Sequence, residues 1–192
     1  MTTQTSPEAD APRLYEKAVT KTRAYVAAVR PDQWDSATPC TDWTVRQLVS
    51  HMVSSARNVK SVMDGNGPQN WGANVLGDDP LAAFDDAKAT AVAALQAPSA
   101  MDRIVTTRQG ERPAVDYAIG QLQEMLVHGW DLAKATGQDT AMDAELVEVG
   151  YARALRNRDR LRSGTAWGER EAAVPDDADF QTKYLGILGR TA

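Results

Sequence analysis

An all-α protein built on a four-helix bundle is the fold this sequence predicts. Three features lead there. Four long stretches carry apolar residues at helical spacing, alanine is abundant while Phe and Tyr are few, and one long glycine-rich connection separates the second stretch from the third. A connection of that length lets a chain cross a bundle instead of turning back beside itself.

The first stretch runs from Pro12 to Val29, with Leu14, Ala18, Val19, Tyr25, Val26 and Val29 at helical intervals, and Pro31 ends it. Gln33 to Asp42 follows as a short segment with the turn residues Asp35, Ser36 and Pro39. The second helix has the clearest start. Thr44 can cap it, and Gln47 stands three residues later, as in a capping box. Val45, Leu48, Val49, Met52, Val53, Ala56 and Val59 then make its apolar face, with a stop expected near Asp64-Gly65.

Gly65 to Pro80 holds four glycines, two prolines and Trp71, and reads as the long crossover. A third helix is expected from Leu81 to Gln96, before Pro98. Ile104-Val105-Thr106-Thr107 reads as a short extended piece ahead of a turn at Gln109-Gly110. The fourth helix begins near Pro113, a residue favoured in the first turn, and runs to about Thr136, where Gly137 stops it. Ala141 to Leu161 reads as an additional helix with an arginine-rich face. The tail from Ser163 is expected to be mostly irregular, with a short helix at 178–188. Residues 1–10 are expected to be disordered, and 11–192 to form a single domain.

The 43% hydrophobic and 24% charged composition is that of a globular chain, and the net charge of −5 argues against a nucleic-acid partner. No apolar run approaches the roughly 20 residues a membrane span needs. The segment Met1-Thr2-Thr3-Gln4-Thr5-Ser6-Pro7-Glu8 lacks the features of a signal peptide, and the single cysteine, Cys40, permits no internal disulfide. A cytoplasmic location is therefore expected, as a monomer or homodimer.

The chemistry gathers around the two histidines, His51 on the second helix and His128 on the fourth. Glu124 precedes His128 by one helical turn, so the two side chains share a face and can grip one ion; His51 could supply a third ligand from a facing helix. Gln121, Glu124, His128 and Asp131 form a polar stripe among Leu122, Met125, Leu126, Val127, Trp130 and Leu132. A carboxylate buried there costs several kcal/mol, roughly, unless it is paired, and a divalent cation would remove that cost. Asp131, near the turn after His128, could orient that imidazole. Spacing alone leaves two readings open, since an E-x-x-x-H pair is common by chance and a histidine on an apolar face is often a satisfied core residue.

Longer motifs add to this. Thr38-Pro39-Cys40-Thr41-Asp42-Trp43-Thr44-Val45-Arg46-Gln47-Leu48-Val49-Ser50-His51 resembles the T-P-C-x-x-W-T-V-x-x-L-x-x-H signature of the mycothiol-dependent maleylpyruvate isomerase N-terminal-type family, within the DinB/YfiT-like metal-binding superfamily. Glu124-Met125-Leu126-Val127-His128-Gly129-Trp130-Asp131-Leu132-Ala133-Lys134-Ala135-Thr136-Gly137 resembles its second motif. The segment from Val174-Pro175-Asp176-Asp177-Ala178 to Leu188-Gly189-Arg190 is similar to the end of short, single-domain actinobacterial members. The resemblance implies a DinB-like four-helix bundle with His51, Glu124 and His128 as metal ligands. Zinc is the expected metal, with iron and nickel as alternatives. It also implies mycothiol as co-substrate and a small electrophile as substrate, without fixing maleylpyruvate itself.

Three protein ligands on zinc leave an open position, and a thiol entering it loses its proton. Attack of the thiolate on an activated double bond, rotation and expulsion give isomerisation; attack without expulsion gives transfer. Two other readings stand beside this one: a tailoring or hydrolytic enzyme with a metal-activated water, and a non-catalytic metal-binding stress protein. A di-iron centre would need more Glu and His ligands than two histidines provide, and the His-Glu-x-x-His motif is absent.

Cys40 reads as a small packing residue ahead of the second helix, although the helix dipole there would favour a reactive thiol. Its roughly 15 Å separation from His51, measured along a helix, argues against a metal contact. Trp43 and Trp130 read as core residues. Trp71, in the glycine-rich loop, reads equally as a substrate lid and as a loop anchor, and is assigned with Arg153 to cofactor binding. Arg153, Arg156, Arg158, Arg160 and Arg162 form a basic patch, most simply a solvated face with Glu148 and Asp159 nearby; the functional reading is contact with an anionic co-substrate.

Overall fold

Each of the four apolar stretches forms a helix in the computed structural model, which describes residues 10–72, 74–162 and 171–191. The chain falls into two compact units, Met1–Asp139 and Thr140–Ala192. The first contains α1 (Ala11–Ala27), α2 (Val45–Met63), α3 (Pro80–Gln96) and α4 (Ala114–Thr136). Helices α1 and α2 each pack against both α3 and α4, so the four close into a bundle with α1 and α2 at opposite corners. Helices at a diagonal cannot be joined by a tight hairpin, and residues 28–44 span from α1 to α2 and residues 97–113 from α3 to α4, while residues 64–79 join the neighbours α2 and α3.

The helix ends follow from side-chain chemistry. Thr44 Oγ1 accepts the Gln47 amide at 3.4 Å, and Gln47 Oε1 accepts the Thr44 amide at 2.8 Å, the reciprocal box expected from the sequence. Asp79 Oδ1 accepts the amides of Leu81 and Ala82 at 3.1 and 3.0 Å, with Pro80 in the first turn. At the other end of α4, Gly137 takes φ 69°, the left-handed conformation that glycine adopts without strain, and its amide returns to Ala133 O. Leu48, Met52, Leu122, Met125 and Leu132 are among the fully buried side chains between these helices.

The extended piece at Ile104–Thr107 is β1. It pairs antiparallel with β2 (Gly110–Pro113), Thr107 facing Gly110 across the turn. Pro113 closes the hairpin and α4 begins at the next residue, near the start expected from the sequence, with the Ala114 amide donating to Arg103 O at 2.8 Å.

In the second unit, α5 (Ala144–Arg156) and the short α6 (Arg158–Arg162) replace the single helix expected from the sequence, and α7 (Phe180–Ile187) is the short helix expected at 178–188. Asp143 sets the later start of α5 by accepting the amides of Glu145 and Leu146 at 3.1 and 3.3 Å. Asn157 caps α5 at the break, its backbone and side-chain amides both donating to Arg153 O, at 3.1 and 2.9 Å. α7 packs on α5, where a Cβ on Gly150 would come within 2.8 Å of the Tyr184 ring. The expected disorder of residues 1–10 falls, but for Asp10, outside the described residues, as do residues 163–170 of the tail.

One close approach ties the fold to the site. Thr22 Oγ1 on α1 lies 2.9 Å from Met125 O on α4 and 3.0 Å from Ala18 O, and is buried between them. Gly129 provides the room: a Cβ there would sit 2.7 Å from Thr22 Oγ1. The short, β-branched Thr22 cannot swing aside without losing its bond to α4. Gly129→Ala should therefore destabilise the protein by about 1–3 kcal/mol, read as a lower urea midpoint at unchanged slope.

Candidate metal centre

Helices α2 and α4 bring the site residues together. His51 stands in the second turn of α2, flanked in sequence by the buried Val49, Met52 and Val53 that seat the helix against the core. Glu124 and His128 lie one turn apart on α4 and face it. His51 Nε2 is 3.1 Å from Glu124 Oε2, and His128 Nε2 is 3.4 Å from the same oxygen. Ligand atoms of all three residues lie within 4.8 Å of one another. Donors held by one tetrahedral zinc at about 2.0–2.1 Å stand about 3.3–3.4 Å apart, so these three could hold such an ion with little rearrangement. Exposure is graded across the trio: the His128 side chain is 3% exposed, Glu124 24% and His51 35%.

The electrostatics suit a cation. Burial pushes the Glu124 carboxyl upward, but hydrogen bonds from His128 and His51, and their charge, outweigh it and hold the group well below the usual carboxylate range. Burial would lower His128; hydrogen bonding to Asp131 above all, then to Cys40 and Glu124, instead raises it well above the ordinary imidazole value. Two carboxylates thus flank one buried imidazole, Asp131 at Nδ1 and Glu124 at Nε2, and a divalent cation on the Nε2 side would meet the charge of Glu124 while Asp131 holds the ring. Asp131, fully buried, lies with Oδ2 3.0 Å from His128 Nδ1. That contact suits an Nδ1–H donated to the carboxylate, which makes Nε2, on the edge facing Glu124, the nitrogen that would ligate a metal in place of its proton.

Cys40 corrects the sequence reading. Distance along a helix does not apply to it, because the loop ahead of α2 folds back toward α4. Cys40 Sγ lies 3.2 Å from Asp131 Oδ2 and 3.7 Å from His128 Nδ1. Cys40, His128 and Asp131 thereby form a second cluster of potential donor atoms. Trp43 was expected in the core. It is half-buried, and its ring centre lies 4.6 Å from that of His51 and 5.7 Å from that of His128. No spacing rule points to either contact, since both depend on the path of an irregular loop. Trp130 is buried, as expected.

A polar strip extends from the centre along the facing helices. Ser55, one turn beyond His51, donates to Gln121 Oε1 at 2.8 Å, one turn before Glu124. Asn58, a further turn along α2, accepts the Gln69 amide at 2.7 Å and Trp71 Nε1 at 3.1 Å. Trp71 is 38% exposed and tied to the face of α2 that carries His51, with the Arg57 guanidinium 5.8 Å from its ring centre. Arg153 belongs to α5 in the second unit and is buried there, which removes it from the solvated face expected of the arginines. Arg158 pairs with Glu171, and the side chains of Arg160 and Arg162 lie outside the described residues. No described helix is long and apolar enough to cross a membrane.

The family model for the mycothiol maleylpyruvate isomerase N-terminal domain matches residues 15–133, a span that contains all of these α2 and α4 residues. Two uncharacterized proteins of Mycobacterium tuberculosis, from strains CDC 1551 / Oshkosh and ATCC 25618 / H37Rv, are each 30% identical over 184 residues, which is 92% of this chain and 96% of theirs. A crystal structure of the mycothiol-dependent maleylpyruvate isomerase superposes with a TM-score of 0.64 at 15% identity, covering 81% of this chain and 72% of that one. A histidine-to-alanine mutant of the isomerase gives 0.65 at 13% identity, covering 89% and 77%. At such identities the likeness is one of fold.

Purified protein is expected to carry about one equivalent of divalent metal, and His51→Ala and His128→Ala should each lose most of it by elemental analysis. Undiminished metal in both variants would remove this centre from consideration.

Proposed function

The chain belongs to the mycothiol maleylpyruvate isomerase N-terminal domain family, and from that membership we propose that it is a metal-dependent enzyme that uses a low-molecular-weight thiol to isomerise or conjugate a small electrophile. Mycothiol is the thiol the family points to. The observation that carries the reading is the meeting of His51, Glu124 and His128 on one oxygen, at 3.1 and 3.4 Å. Three protein donors leave a tetrahedral ion one position for a small molecule.

A zinc, iron or nickel ion held there supplies the acidity that turns a thiol into its reactive thiolate near neutral pH. The protein's own residues do the rest. Glu124 stays ionised and presents Oε2 between the imidazoles. Asp131 holds the His128 ring by Nδ1, so that Nε2 remains a donor. Trp43 lies against both imidazoles and keeps bulk water from that side. The partial exposure of His51 and Glu124 marks the side from which thiol and substrate approach. Trp71, tethered to Asn58, stands on the same face of α2 and would cover bound ligand.

With a conjugated cis double bond as substrate, carbon–sulfur bond formation turns the double bond into a single bond. Rotation and carbon–sulfur cleavage then restore it as trans and release the thiol unchanged. An electrophile that keeps the sulfur leaves as an S-conjugate. Family membership favours isomerisation, and both outcomes share the thiolate step.

Cobalt-substituted protein titrated with mycothiol should change its visible absorption as sulfur enters the ligand set, and His51→Ala should abolish the response. A spectrum indifferent to saturating thiol would refute the reading. Maleylpyruvate is the first electrophile to try, with turnover expected to depend on both thiol and metal.

A further inference from the structure

The proposed function uses Asp131 but leaves Cys40 unexplained, and this inference rests on that function. Asp131 is a carboxylate with no solvent exposure, and such a group is stable only where donors meet its charge. Two converge on its Oδ2: His128 Nδ1 at 3.0 Å and Cys40 Sγ at 3.2 Å.

The loop that delivers the thiol is tied to itself at several points. Thr38 Oγ1 accepts the Cys40 amide at 3.2 Å and donates to Trp43 O at 2.9 Å, the Trp43 amide donates to Cys40 O at 2.8 Å, and Ala37 bridges to Thr44. The same loop lays Trp43 against both imidazoles. One short segment therefore reaches the centre twice, by the indole against the rings and by the thiol against Asp131.

We propose that Cys40 is a positioning residue for the metal centre: its S–H, donated to Asp131, fixes the carboxylate that holds His128 with Nδ1 protonated and Nε2 turned toward Glu124 and His51. Each donor on Oδ2 narrows the rotation of the carboxylate about its last bond, and with it the freedom of the imidazole the carboxylate steadies. Cys40 supplies one from outside the histidine. Direct ligation by Cys40 does not suit the geometry. Sγ approaches the Nδ1 edge of His128, while the edge that faces Glu124 carries Nε2. Contacts that act through a metal ligand in this way are worth about 10–100-fold in metal affinity.

Cobalt affinity and the visible spectrum of the loaded protein test this, together with the thermal midpoint of each variant. Cys40→Ala and the near-isosteric Cys40→Val both lack the donor and should weaken cobalt binding about tenfold with an altered spectrum. Cys40→Ser keeps a donor and should recover most of the affinity. A residue that only packs would show the reverse order, with Val tolerated and Ser not, and that order overturns the proposal. So does wild-type affinity and spectrum in both Ala and Val variants. A sulfur-to-cobalt charge-transfer band in thiol-free wild type that vanishes in Cys40→Ala would make Cys40 a ligand and overturn it as well. His128→Ala, run alongside, separates the two levels. If it binds cobalt like wild type, the metal reading itself has failed; if it does not, a negative result at Cys40 falls on this proposal alone.

Discussion

A carboxylate cannot sit between two helices of an apolar bundle unless something answers its charge, and Glu124 is placed in that position. Its Oε2 is met by one imidazole from α2 and another from its own helix. Because the answering groups come from two elements, the register of α2 against α4 is set by chemistry as well as by packing. A slide of one turn, about 5.4 Å, would carry His51 out of reach and leave the carboxylate only the imidazole of its own helix. The thiol chemistry proposed for the protein depends on this meeting point.

The supports of that register lie where the helices begin, end and touch. Thr44 and Gln47 fix the first turn of α2, and His51 follows in the next turns. Gly129, next to His128, lets α1 come close enough for Thr22 to bond the backbone of α4 beside the centre. Gln33, whose Nε2 donates to Thr136 O at 2.9 Å, and Gln138, which donates to Tyr25 O at 3.0 Å, fasten the far end of α4 to the last turn of α1 and the segment after it. α4 is thus held at its middle and at its C-terminal end. A helix restrained in that way can present Glu124 and His128 at constant spacing without a rigid loop to help it.

Loops do the finer work. The segment before α2 carries Cys40 to Asp131 and Trp43 to both imidazoles, and the crossover after α2 carries Trp71 to Asn58. Both flank the helix that bears His51. Through them the surroundings of the site are built from chain that the bundle itself does not need, which is where ligand preference can vary while the fold stays the same.

The sequence by itself determined the four long helices, because apolar period, capping residues and stop signals act within a few residues of where they stand: Thr44 with Gln47 at a start, Gly137 at an end. It also placed Glu124 and His128 together, since one helical turn is a local distance. It missed the break at Asn157, where the side-chain amide closes on Arg153 O. Only the tertiary structure decided that α2 lies against α4 with His51 opposite Glu124, that Cys40 reaches Asp131 and that Trp43 covers the imidazoles. Those contacts join residues as many as 91 positions apart. They depend on how helices pack and how an irregular loop returns, and no local pattern encodes either.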